Sequence, residues 1–135
     1  MKINKLWFDD NKIFIQTDDG KELWQSLLWY RRLQDASDAQ RKNYTISYSG
    51  IHWPDVDEDV SFESFLYDDP EPVGVSKFFH QYPELNVSAI ARRMGMKQSL
   101  LAAYVNGNKK PSNQRVKEIE RTVRSFGKEL LKVEL

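Results

Sequence analysis

The stretch Ile90–Gly107, IARRMGMKQSLLAAYVNG, contains two short apolar runs that meet at Met94-Gly95-Met96. Asn86 is a suitable N-cap for a first helix over Val87–Met94, in which apolar residues recur at helical spacing. Gly95 suits a chain that must leave this helix with a positive φ, and a second helix is predicted from about Gln98 to Asn106. The stretch therefore predicts two helices joined by a glycine turn.

The spacing of residues in this stretch matches that of a helix-turn-helix. If Val87 is counted as position one, apolar residues fall at positions four, ten, fifteen and eighteen, a small residue at five and glycine at nine. The small residue lets the two helices cross closely, and the glycine makes the turn between them. An unrelated helical hairpin can match the same offsets, so a purely structural pair of helices stays open as an alternative.

Charge is distributed unevenly along the chain, although the formal net charge is zero. Residues 1–75 contain 15 acidic and 8 basic side chains, whereas residues 76–135 contain 5 acidic and 12 basic ones. Between Val87 and Gln114 there are five Lys or Arg residues and no Asp or Glu. A segment of this kind gains free energy by binding a polyanion such as DNA. The alternative is that the two halves attract each other and carry solvated charged faces.

A further helix is predicted after the turn Pro111-Ser112. Its apolar residues recur at spacings of three and four: Val116, Ile119, Val123 and Phe126. Gly127 is expected to end this helix, and the alternation in KELLKVEL (128–135) predicts a short C-terminal strand. Such a strand has free edges that can join an N-terminal sheet or pair with a second subunit.

The first fifty residues predict a small antiparallel sheet with a covering helix. The β-prone runs KLWF (5–8) and KIFIQT (12–17) flank the turn Asp9-Asp10-Asn11, and Asp18-Asp19-Gly20 makes a second turn. The spacing in LWQSLLWYRRL (23–33) predicts a helix that covers the sheet. One more helical turn is predicted in SDAQRKN (37–43) and one more strand in YTISYS (44–49).

These patterns predict an α+β fold made of two domains. Two prolines, one glycine and three acidic residues in YDDPEPVGVS mark a linker over residues 68–75. We therefore expect an acidic α+β domain over residues 1–67 and an all-helical domain over residues 76–135. The second domain begins with a short helix over Ser76–Tyr82, which Pro83 ends.

Several kinds of chemistry are not predicted for this chain. The absence of cysteine removes disulfides, thiolate catalysis and cysteine-ligated zinc. The four acidic residues within Asp55–Asp59 lack the glycine and the alternation of an EF-hand loop, and His52 has no nucleophile at a signature spacing. We therefore expect no enzyme activity, no metal site and no cofactor. The lack of an apolar run of roughly 18 residues and of an N-terminal apolar signal predicts a cytoplasmic protein without membrane contact.

The first half of the chain resembles a known family. GIHWPDVDEDVS (50–61), preceded by LWYRRL, QRKNY and ISYSG, is similar to a segment that ends the core of a widespread bacterial domain family of unknown function. The resemblance covers roughly residues 2–67 and implies a small α+β unit. It implies no mechanism, because no catalytic residues are established for that family. Its members are often fused to a helix-turn-helix domain, and relatives occur near genes proposed to encode toxins and antitoxins.

The second half resembles phage lambda-type repressors. MGMKQSLLAAYVNG (94–107) is similar to the turn and recognition helix of that family, and NKKPS (108–112) with a following apolar helix is its usual sequel. The resemblance covers roughly residues 77–126 and implies a recognition helix that enters the major groove. The base-contacting residues that it implies are Gln98, Ser99, Ala102 and Ala103. The implied phosphate-contacting residues are Arg92, Arg93, Lys97, Asn106, Asn108, Lys109 and Lys110.

The chain also departs from the lambda-type pattern. Lys97 occupies the usual N-cap position of the recognition helix, and Val87 replaces a polar residue that often contacts phosphate. Leu100, Ala102 and Ala103 offer few hydrogen-bonding groups on the helix surface. Because of this apolar character, binding of the helix to a protein partner instead of DNA stays open as an alternative.

Together, these patterns predict a sequence-specific DNA-binding transcription regulator whose partner is double-stranded DNA. We expect a homodimer, because lambda-type readers commonly bind two half-sites about one helical turn apart. The acidic domain would serve in dimerisation, protein binding or sensing. The alternative is an antitoxin-like or other protein-interaction module with no direct DNA readout, which contacts its partner through Gly50–Ser61 or Leu100–Ala103.

Overall fold

The computed structural model describes all 135 residues, which form two compact units. Unit 1 comprises residues 1–72 and unit 2 comprises residues 73–135. Each unit has an apolar core of its own. No helix in either unit combines the length and the apolar composition needed to cross a membrane.

Unit 1 begins with a three-stranded antiparallel sheet, which confirms the predicted small N-terminal sheet. Strands β1 (Ile3–Asp9), β2 (Lys12–Thr17) and β3 (Glu22–Ser26) are ordered β1-β2-β3. Asp10 and Asn11 join β1 to β2 with φ values of 49° and 55°, as a two-residue turn that matches the strand twist requires. The alternation along β2 places Ile13 and Ile15 on the core face, where both side chains are fully buried.

The helix predicted over residues 23–33 is wrong in its first part. Residues 22–26 form β3, in which Leu23 pairs with Ile15 and Trp24 pairs with Phe14. Only a 3-10 turn (Leu27–Trp29) and the single-turn helix α1 (Arg31–Gln34) follow. The turn at residues 18–20 brings this segment beside β2, and strand pairing there outweighs its helical spacing. The helical turn expected in residues 37–43 is found as α2 (Asp38–Lys42), capped by Ser37.

A second antiparallel sheet completes unit 1. Its strands are β4 (Thr45–Ile46), β5 (Gly50–Trp53) and β6 (Glu58–Ser61), followed by a 3-10 turn over Glu63–Leu66. The strand predicted over residues 44–49 is thus present only at 45–46. The GIHW segment forms β5, and its glycine is required because a Cβ there would lie 2.5 Å from the carbonyl oxygen of Val60.

A polar network inside unit 1 ties β3 to the second 3-10 turn. The Tyr30 hydroxyl donates to Gln25 Oε1 at 2.8 Å, and Gln25 Nε2 donates to Ser64 Oγ at 2.8 Å. Burial of Tyr30 raises the pKa of its hydroxyl above the ordinary value, so this group stays a neutral donor. The network satisfies the polar atoms of Gln25, whose side chain is buried in the core.

Unit 2 consists of four helices around the second apolar core. They are α3 (Gly74–Gln81), α4 (Val87–Met94), α5 (Gln98–Val105) and α6 (Asn113–Leu130). The core residues come from all four helices and the turn between α4 and α5: Val75, Phe79, Ile90, Ala91, Met96, Leu101, Tyr104 and Ile119.

The predicted C-terminal strand is wrong. Helix α6 continues through Gly127 to Leu130, and residues 131–135 form no strand. An isolated glycine weakens a helix by only about 1 kcal/mol, so it does not have to end one. Leu131 and Val133 are exposed, and the alternation that suggested a strand therefore buries no face.

Candidate nucleic-acid interface

The turn between α4 and α5 has the geometry that the glycine predicts. Asn86 caps α4 by accepting a hydrogen bond from the backbone N–H of Ala89 at 3.0 Å. At the other end, Gly95 has a φ of 68°, its N–H donates to the Arg92 carbonyl, and the Met96 N–H donates to the Ala91 carbonyl. These two bonds form a Schellman motif, which satisfies the last carbonyls of α4. Met96 is buried, and this fixes the direction in which the chain enters α5.

The first residues of α5 point into solvent. Lys97 precedes the helix in an extended conformation and makes no side-chain cap, as expected for a lysine at this position. Gln98 and Ser99 are both exposed, and neither side chain makes a hydrogen bond within the chain. The two residues that the lambda-type resemblance assigns to base edges are therefore accessible to a ligand.

The rest of α5 is divided between core and surface. Leu101 is fully buried and Tyr104 is nearly so, which anchors one side of the helix. Ala102 and Ala103 are half-buried, so they present small apolar patches and no polar group. The Ser76 hydroxyl of α3 donates to the Val105 carbonyl at 2.6 Å and holds the C-terminal end of α5. No sequence pattern pointed to this bond, because its partners are 29 residues apart.

The loop after α5 is held by a second Schellman motif. The Gly107 N–H donates to the Tyr104 carbonyl, and the Asn108 N–H donates to the Ala103 carbonyl at 2.9 Å. This motif fixes the backbone of a loop in which four candidate phosphate-binding residues are exposed: Asn106, Asn108, Lys109 and Lys110. They lie at the end of α5 opposite to Gln98 and Ser99, about 12 Å away along an eight-residue helix.

The two arginines of α4 differ in their surroundings. Arg92 is exposed and has no side-chain partner in the chain. Arg93 donates from both terminal nitrogens to Glu129 Oε2 of α6 at 3.1 Å, and its guanidinium lies 5.0 Å from the centre of the Phe126 ring. Arg93 is therefore held against α6 in the free protein. The sequence did not indicate this contact, since Glu129 was assigned to a C-terminal strand.

The acidic segment of unit 1 forms no cluster that could hold a metal ion. Its side chains take part in separate contacts instead. Asp55 accepts from Asn43 Nδ2 at 3.0 Å, and Asp59 lies 2.7 Å from Nδ1 of His52 across the β5–β6 pair. His52 thus has a carboxylate partner and a place in a strand.

The fold and these surfaces define a two-unit protein, in which an acidic α+β unit precedes a basic unit of four helices. The chain belongs to a family of proteins of unknown function, DUF2442, which matches residues 3–71. That range corresponds to unit 1 and confirms the resemblance of the N-terminal half to a domain family of unknown function. No curated protein matches the chain, and no solved structure matches it.

Proposed function

We propose that this protein is a sequence-specific DNA-binding transcription regulator of the cytoplasm that reads duplex DNA with α5 as a homodimer. In this proposal α4, the Gly95 turn and α5 act as a lambda-repressor-like helix-turn-helix. The observation that carries the proposal is the exposure of Gln98 and Ser99 at the start of a helix whose other side is anchored by Leu101. Glutamine can make a bidentate pair with adenine in the major groove, and serine can contact any base.

Electrostatics support the same proposal. The basic residues around α5 have no acidic residue among them between positions 87 and 114. Lys97, Lys109 and Lys110 are exposed and carry no ion pair, so binding to DNA phosphates would break no existing contact. Release of condensed counterions from the duplex would then add a salt-dependent contribution to the affinity.

Fluorescence anisotropy with labelled genomic fragments over a salt series tests the proposal. Lys109→Ala should weaken binding to all sequences and reduce the slope of log K against log salt by about one unit. Gln98→Ala should lower the preference for the best fragment over others by about tenfold, because it removes a base contact worth about 1–3 kcal/mol. Lys21→Ala, which removes the same charge from an exposed turn of unit 1, serves as the matched control and should leave both quantities unchanged.

The same experiment also distinguishes DNA binding from the competing function, that of a protein-interaction module. Weak anisotropy signals that do not depend on salt, and that neither substitution alters, would contradict DNA readout. They would favour a protein-interaction module in which the half-buried residues Leu100, Ala102 and Ala103 contact a protein partner.

A further inference from the structure

Strand β1 has an unpaired edge. The hairpin turn at Asp10-Asn11 closes on the Asp9–Lys12 pair, which makes this a hydrogen-bonded pair. Because pairs alternate along an antiparallel ladder, the backbone groups of Leu6 and Phe8 point away from β2. No other part of the chain bonds to these N–H and C=O groups.

The opposite edge of the same sheet, on β3, is bonded at its C-terminal end. The Ser26 N–H of β3 donates to the Pro70 carbonyl at 2.8 Å, and Gln25 reaches Ser64 of the second 3-10 turn. A groove of about 400 Å³ lies beside Leu6, Trp7 and Phe8 of β1, and it is also lined by Asp38, Arg41, Lys42 and Tyr44. Strand edges whose backbone groups are unpaired readily pair with another strand.

The available part of β1 is short and has defined limits. A register irregularity between Ile3 and Lys5 disturbs the strand at one end, and the hairpin turn ends it after Asp9 at the other. Five residues, 5–9, therefore remain for pairing, with Trp7 at their centre. An antiparallel partner whose own residues 5–9 pair with this segment would be related to it by a two-fold axis at Trp7.

The geometry points to a second copy of this chain as the occupant of the β1 edge, through antiparallel pairing of β1 with β1 of the partner. In this register the outward backbone N–H and C=O groups of Leu6 form hydrogen bonds with those of the partner's Phe8. The two-fold axis repeats this pair of hydrogen bonds, so that Phe8 bonds in the same way to the partner's Leu6. Lys5 lies opposite the partner's Asp9, so two cross-strand pairs of opposite charge result. The edge is thus self-complementary in both backbone bonding and charge.

The side chains on the outer face of the sheet extend this match. Trp7 and Phe14 stack with their ring centres 5.3 Å apart, and Phe14 pairs in register with Trp24. Pairing about the axis would place the two Trp7 residues opposite each other at a close, non-hydrogen-bonded position. One aromatic row would then cross a continuous six-stranded sheet, with the charged pairs of Lys5 and Asp9 beside it. This inference concerns unit 1 alone and does not depend on whether unit 2 binds DNA.

Site-specific cross-linking of the full chain tests the register. The protein has no cysteine, so Trp7→Cys introduces a single thiol. Opposed Cα atoms at a non-hydrogen-bonded position are about 4.5 Å apart, which is within reach of a disulfide. Mild oxidation should convert most of this variant to a covalent dimer. Trp24→Cys is the matched control, because it makes the same substitution in the same aromatic row. Its thiol would be separated from that of the partner by five strand spacings, about 24 Å. This variant should therefore run as a monomer on denaturing gels.

Charge reversal tests the interface without a thiol. In size-exclusion chromatography with light scattering, the unmodified chain should show a dimer at micromolar concentration in the absence of DNA. Lys5→Glu should raise the dimer dissociation constant by about tenfold, since two attractive pairs become repulsive. Adding Asp9→Lys to that variant should restore the original value. A monomer at all concentrations up to about 100 µM, or equal cross-linking of the two cysteine variants, would overturn the inference.

Discussion

Gly95 carries the conformational requirement of the turn between α4 and α5. Its φ of 68° lies in the left-handed region, and no heavy atom is within 4 Å of the position that a Cβ would occupy. A side chain at residue 95 would therefore meet backbone strain and no steric clash. This separates the conformational role of the glycine from any role in packing.

We predict that Gly95→Ala destabilises the protein by about 1–2 kcal/mol, the cost of placing a side-chain-bearing residue in the left-handed region. Gly127→Ala is the matched control: its Cβ would also meet open space, but the residue lies inside α6. That change should stabilise the protein by about 0.5–1 kcal/mol. Urea denaturation followed by circular dichroism measures both differences, and a loss of stability in both variants would contradict the assignment.

At the scale of single residues, much of the candidate interface could be predicted from the sequence. Asn86, Gly95 and Met96 take the cap, turn and packing positions that their chemistry and spacing indicate. These positions depend on local backbone geometry, which nearby residues determine. The partner of Arg93 depends on a contact between α4 and α6, 36 residues apart, and no local pattern encodes it.

At the scale of elements, the contact between α4 and α6 restrains one candidate phosphate contact. Arg93 donates two bonds to one oxygen of Glu129, and both side chains are about half exposed. An exposed pair of this kind contributes less than about 1 kcal/mol to stability. A phosphate that binds Arg93 must therefore displace Glu129 first, at a cost below about 1 kcal/mol.

We predict that Glu129→Gln strengthens DNA binding and steepens the salt slope by up to about one unit, because it frees Arg93 to contact a phosphate. Glu118→Gln is the control, since it removes the same charge from α6 and releases Arg115, which is outside the predicted interface. Anisotropy titrations over a salt series compare the two. Equal strengthening by both substitutions would indicate a general charge effect and would argue against a specific role for Arg93.

Two elements differ from their predictions for the same physical reason. Residues 23–33 have apolar spacing near that of a helix, yet β3 forms because β2 offers a neighbouring strand in register. Residues 128–135 alternate like a strand, yet α6 continues to Leu130, where Arg93 contacts Glu129 and Phe126. In both cases the available partner decides between two local patterns of similar strength.

At the scale of the whole molecule, the division into two units coincides with a division of charge. Unit 1, residues 1–72, contains 15 acidic and 8 basic side chains and has a formal charge of −7. Unit 2, residues 73–135, has a formal charge of +7. A duplex that approaches the basic unit is therefore also subject to the field of the acidic one. Unit 1 should slow the encounter between DNA and unit 2 wherever salt leaves that field unscreened.

We predict that a fragment of residues 73–135 associates with DNA faster than the full chain at about 0.01 M salt, where the Debye length is about 30 Å. At about 1 M salt the Debye length falls to about 3 Å, and the two association rate constants should converge. Circular dichroism first establishes that the protein fragment is helical. Stopped-flow fluorescence then measures the association rates with a DNA duplex that contains a single half-site, so that dimer avidity makes no contribution. If the full chain associates as fast as the fragment at low salt, the acidic unit does not act on the encounter through its charge. A slower fragment at every salt concentration would instead mean that unit 1 contributes contacts to the DNA complex.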